Sequence, residues 1–143
     1  MATKSAFVIG NINEDFSQLI WEPETDIRTG VWAICLQKVV IRLGEPIAKE
    51  ISFCVKTNLV EQNQRDKHGN LNVIKTCLGL FSCKGEVGEE IVLQNHDSQF
   101  FIITRPENEI IIQTENPLTK EKIKTHSTNT HKIGCYFVYK RLQ

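Results

Sequence analysis

The chain has 143 residues, 41% of them apolar, with 17 Lys and Arg against 17 Asp and Glu. That length gives one domain with a core of its own, and the composition excludes a disordered chain. A formal net charge of zero argues against bulk gripping of nucleic-acid phosphates and against an anionic membrane surface, both of which favour excess Lys and Arg.

The stretch Met1–Gly10 has too short an apolar run for a secretory leader. The longest unbroken apolar run, Val31–Leu36, is six residues, far below the roughly 20 needed to span a bilayer as a helix. In chain order, β-branched and aromatic runs predict strands at Ala6–Ile9, Ser17–Trp21, Val31–Leu43, Glu50–Val60 and Leu71–Phe81. Further strands are predicted at Glu89–Leu93, Gln99–Thr104, Glu109–Thr114 and Lys132–Arg141. No segment carries the spacing of an amphipathic helix. The four prolines, Pro23, Pro46, Pro106 and Pro117, all fall between strands. Asp66–Asn70 reads as a polar turn containing Gly69, and Lys120–His131 as a loop before the last strand.

Alternation assigns faces within the strands. Ile51, Phe53, Val55 and Leu59 share one face, with Ser52, Lys56 and Asn58 opposite. In Val31–Leu43 the pattern slips. Trp32, Ile34 and Leu36 keep one parity and Val39, Ile41 and Leu43 the other. The change falls at Gln37-Lys38 and predicts a bulge or a crossing between sheets. Many short strands without helices predict an all-β protein. The specific expectation is a single jelly-roll β-sandwich of eight or nine strands filling residues 1–143.

The five cysteines, Cys35, Cys54, Cys77, Cys83 and Cys135, show no pairing pattern and fit a reducing compartment, the cytoplasm or nucleus of a cell. Cys35, Cys54, Cys77 and Cys135 lie in strand-like runs and read as small buried hydrophobes. Cys83, beside a glycine-containing turn, reads as the exposed thiol. The histidines His68, His96, His126 and His131 are scattered over turn-like segments, which disfavours a metal site. No nucleophile elbow or glycine-rich phosphate loop is present. The pairs Glu89-Glu90 and Glu107/Glu109 read as solvated charge. The expectation is a non-enzymatic protein without cofactor or metal.

Interface candidates are Trp21, at a strand end beside Glu22-Pro23, and the basic residues Lys120, Lys122, Lys124 and Lys132. That basic segment also contains His126 and His131 but no aromatic residues on which bases could stack, so nucleic acid is not the expected partner. Trp32 is the better core candidate. The loop Asn95–Gln99 suits a second reading, a lectin-like module binding a glycan.

One segment carries a family resemblance. Phe16-Ser17-Gln18-Leu19-Ile20, followed by Gly30-Val31-Trp32-Ala33-Ile34-Cys35-Leu36, resembles the opening of small jelly-roll minor capsid proteins, the pentons of virophages and Polinton/Maverick-type elements. The closing Tyr136-Phe137-Val138-Tyr139 strand is also similar. The resemblance implies a structural protein of a virion, made in a host cytoplasm or nucleus. It would assemble with copies of itself and with other capsid proteins, and it implies no catalysis and no cofactor.

Overall fold

The computed structural model describes residues 3–12, 15–18, 25–118 and 131–143. Among them are nine strands and no helix. They are β1 (Thr3–Asn11), β2 (Phe16–Gln18), β3 (Trp32–Arg42), β4 (Ile47–Arg65), β5 (Leu71–Gly85), β6 (Glu90–Gln94), β7 (Phe101–Ile102), β8 (Ile110–Glu115) and β9 (Lys132–Arg141). The first sheet has the order β1-β9-β3-β6, with β7 also on β3. The second has the order β2-β8-β4-β5. Every pairing is antiparallel. The two sheets face each other across one apolar core, so the chain is an all-β sandwich.

The parity slip in β3 is a β-bulge. Leu36 pairs with Phe137 and Lys38 with Tyr136, leaving Gln37 as the extra residue. The bulge restores the inward parity, so Trp32, Ile34, Leu36, Val39, Ile41 and Leu43 are all buried against the second sheet. On its other edge β3 changes partner around the same point. Residues Lys38–Arg42 pair with β6, and Ala33 and Ile34 with β7. Asn95 fills the gap between those partners. Its backbone N–H donates to the Gln37 carbonyl at 3.0 Å. Its side-chain amide donates to the Leu36 carbonyl at 2.8 Å and to the Leu78 carbonyl of the opposite sheet at 3.0 Å.

Trp32 is core, as expected. Its ring lies 5.9 Å from that of Tyr139, and its indole N–H donates to the Thr29 carbonyl at 2.8 Å. Phe53 and Phe81 stack across the β4–β5 pair on the inner face.

Several expectations need correction. β4 runs past its predicted end at Val60 to Arg65, where Glu61–Arg65 pairs with the predicted start of β5, Leu71–Lys75, as a two-stranded ribbon, and β5 runs on from Phe81 to Gly85. Glu61–Arg65 has no buried residue and no apolar one, so this end of β4 carries no period-two signal. The ribbon's turn matches expectation. The Asp66 carboxylate accepts N–H bonds from His68 and Asn70, and Gly69 takes φ 82°. The Gln99–Thr104 strand shrinks to Phe101–Ile102, after which Ile103 N–H bonds to the Trp32 carbonyl at the start of β3 and Thr104 N–H to the Leu59 carbonyl of β4 in the other sheet. Cys77 and Cys83 exchange roles. The extension of β5 puts Cys83 on the inward parity of Phe81, where burial pushes its thiol up to about 11. A register shift near Lys56 leaves Cys77 exposed on the outer face. Lys56 is on the face opposite Phe53 and Val55, as expected, but it is buried in an ion pair with Glu115.

Deleting Gln37 forces one half of β3 to present its apolar set outward, so the expected result is loss of cooperative unfolding. Gln37→Ser keeps the residue count and should change stability by less than about 1 kcal/mol. Asn95→Ala leaves the Leu36 and Leu78 carbonyls without their amide partner and should cost about 1–3 kcal/mol. Urea titrations of the three variants check these outcomes.

Candidate functional site

An antiparallel sheet that faces its core on one side ordinarily presents polar residues on the other. The first sheet departs from this. Across its outer face the registers line up Val92 on β6, Val40 on β3, Gly134 on β9 and Ile9 on β1. Ile9 and Val92, at the two ends of this row, are 54% and 51% exposed. The next row runs Gln94, Lys38, Tyr136, Phe7. On the other side lies a row of Glu90, Arg42, Lys132 and Asn11.

Gly134 shapes this face. A Cβ there would lie 2.4 Å from the Phe7 ring, so only glycine lets that ring lie down over β9. The Phe7 ring in turn packs on Tyr136, with centroids 4.4 Å apart, and the Lys38 ammonium sits 4.7 Å from the Tyr136 centroid. The result is a shallow cleft of about 280 Å³ with an apolar floor and charged residues Arg42, Glu90 and Lys132 at its rim. Farther along the same face, Phe100 lies under the Lys140 ammonium at 4.0 Å and Ile102 is exposed beside Ala33. Lys38, Arg42, Lys132 and Lys140 give this face an excess of positive charge over Glu90.

Of the predicted interface residues, Lys132 lies on this face. Trp21, Lys120, Lys122 and Lys124 fall outside the described residues. His131 is not part of a solvated basic loop. It is 1% exposed, and its carbonyl accepts from Ile12 N–H at 3.1 Å, at the end of the β1–β9 ladder. Its Nδ1 accepts from Gly44 N–H at 3.2 Å, and Nε2 lies 3.8 Å from the Glu45 carboxylate. Burial lowers the His131 pKa, and Glu45 opposes this. The ring is a neutral structural acceptor that ties the β3–β4 turn to the last strand.

The Asn95–Gln99 loop lines a second cleft with Cys77, Leu80 and Phe101. The Asn95 amide there is occupied by the two carbonyls it bridges. A third cleft, of about 560 Å³, lies at the base of the ribbon. In it Arg105 lies 3.7 Å from Glu61 and 3.5 Å from Glu107, so both carboxylates already have a cationic partner. Among the described residues no group of three or more His, Cys, Asp or Glu is placed to hold a metal ion. No family model, curated protein or solved structure matches the chain.

Residues Phe7, Ile9, Val40, Val92 and Gly134 carried no functional signal in the sequence. Each is one position in its own strand, and only the register places them in adjoining rows.

Because the native His131 pKa is lowered, the unfolded chain binds a proton before the native one does. Stability should therefore fall as pH drops below about 6.5 and level off once pH passes the lower native value. His131→Asn keeps an acceptor for Gly44 N–H and cannot titrate, so it should lose this slope. Urea midpoints at a series of pH values between about 7.5 and 5 compare the two.

Proposed function

We propose that this chain is a non-enzymatic structural protein, a single jelly roll that assembles through packing of its outer faces against other copies. Two observations support the two halves of this reading. For the fold, it is the nesting of strand pairs. With the two-residue β7 set aside, the chain pairs β1 with β9, β2 with β8, β3 with β6, and β4 with β5. First pairs with last and each inner pair follows in turn, as in a hairpin rolled into two sheets. Jelly rolls serve capsids, lectins and cupins alike, so this order alone selects no function.

For the function, the carrying observation is the apolar row Val92–Val40–Gly134–Ile9 with Phe7 beside it. Exposed apolar surface gathered across four strands and rimmed by charge is characteristic of a contact surface. A second copy is the favoured occupant on charge grounds. The whole chain is neutral, so a face rich in Lys and Arg requires acidic surface elsewhere on the same chain. The turn Glu86–Glu89 supplies some of it and carries Val87 exposed between Glu86 and Glu89. Different patches meeting from copy to copy make a heterologous contact, which closes into a ring or shell. The resemblance of Gly30-x-Trp32-x-x-x-Leu36 and its flanks to minor capsid jelly rolls points the same way, with a virion as the place of assembly.

Light scattering over a wide concentration range tests this. The wild-type mass should rise above that of one chain. Ile9→Lys combined with Val92→Lys alters two exposed edge-strand positions and should leave the circular dichroism and melting temperature unchanged. Burying each apolar side chain contributes roughly 1.5–3 kcal/mol, so the double variant should associate at least about 100-fold more weakly. A wild-type chain that stays monomeric throughout, or a double variant that associates as the wild type does, contradicts the proposal.

A further inference from the structure

The outer face of the second sheet carries a thiol pair. Lys56 pairs with Cys77 across β4 and β5, and Cys54 lies two residues before Lys56 with its side chain on the same face. The ladder is irregular here, shifting register between Val55 and Lys56 and again between Lys56 and Glu61. The extra residue on β5, Leu78, draws the diagonal positions Cys54 and Cys77 together, and their side chains are hydrogen-bonded to each other. The Cys77 thiol donates to the Gly79 carbonyl at 3.3 Å, which leaves its sulfur to accept from Cys54. Cys77 is exposed and Cys54 is 2% exposed.

We infer that Cys54 and Cys77 form a dithiol site that reacts with small disulfides of the glutathione class and closes into a cross-strand disulfide. The exposed Cys77 sulfur attacks one sulfur of oxidised glutathione. That bond breaks, one glutathione leaves as the thiolate, and a Cys77–glutathione mixed disulfide remains. Cys54 then attacks the Cys77 sulfur, the second glutathione leaves, and the Cys54–Cys77 bond forms. The two protons lost by the cysteines end on the two glutathione thiolates. The protein dithiol is oxidised by two electrons, and one glutathione disulfide is reduced to two thiols.

The division of roles follows from the surroundings. Contact with Cys77 and then burial raise the Cys54 pKa, so Cys54 holds its proton while Cys77 reacts. The Lys56 ammonium favours the Cys54 thiolate needed for the second step, and Glu115, its ion-pair partner, opposes it. The other three thiols, Cys35, Cys83 and Cys135, are buried, and burial raises the pKa of each. The new bond would fasten β4 to β5 where their ladder is interrupted. This inference is independent of how the first sheet's outer face is used.

The full-length reduced protein is incubated under native conditions with oxidised glutathione, quenched in acid, unfolded and alkylated. Intact mass and peptide mapping then follow. Two of the five thiols should be lost, joined as a Cys54–Cys77 peptide pair and recovered with dithiothreitol. Cys54→Ser should instead retain one glutathione on Cys77, and Cys77→Ser should keep its thiols free. Five free thiols in the wild type, a disulfide joining any other pair, or a glutathione that persists on Cys77 of the wild type would each overturn the inference.

Discussion

The extra residue at Gln37 and the Asn95 clamp on it hold the sandwich in its arrangement. β3 is the spine of the first sheet, with β9 along one edge and β6 and β7 sharing the other. A strand of eleven residues with an uninterrupted pleat would present either its first or its second apolar triplet to solvent. The bulge removes that conflict, but it leaves backbone groups out of the ladder. Asn95 satisfies them, taking the Gln37 carbonyl with its backbone and the Leu36 carbonyl with its side chain. The same amide reaches Leu78 in the second sheet, so one residue ties together bulge, strand exchange and both layers.

That constraint also decides what faces outward. With the inner parity fixed on both sides of Gln37, Val40 and Arg42 must lie on the outside of β3. The registers with β9 and β6 then set Gly134, Lys132, Val92 and Glu90 beside them. The apolar row and its charged neighbour are consequences of core packing carried through to the other face. Gly134 adds the close approach of Phe7, which converts a flat row into a shallow cleft.

Where burial is strong and local, the sequence could be read directly. β9 and β3 show this, since both are dense in apolar residues. The ribbon end of β4 could not be read, because Glu61–Arg65 has no face to bury. Lys56 was legible in direction but not in burial, since its partner Glu115 comes from β8, far along the chain. His131 and Asn95 looked like loop residues because their roles are hydrogen bonds to backbone atoms distant in the chain. The face proposed as a contact surface was hidden for a related reason. Of the proposed interface residues only Lys132 falls on it among the described residues, and the apolar members of the row come from four strands whose adjacency is a property of topology.

The central claim is that the row from Val92 to Ile9, with Phe7 and Tyr136, is covered when copies meet. Hydroxyl-radical footprinting read by mass spectrometry measures side-chain exposure at each of these residues directly. Performed over a series of protein concentrations, it should show oxidation of Phe7, Ile9 and Tyr136 falling together as concentration rises. Oxidation rates at these three residues that stay flat across the whole series would contradict the account.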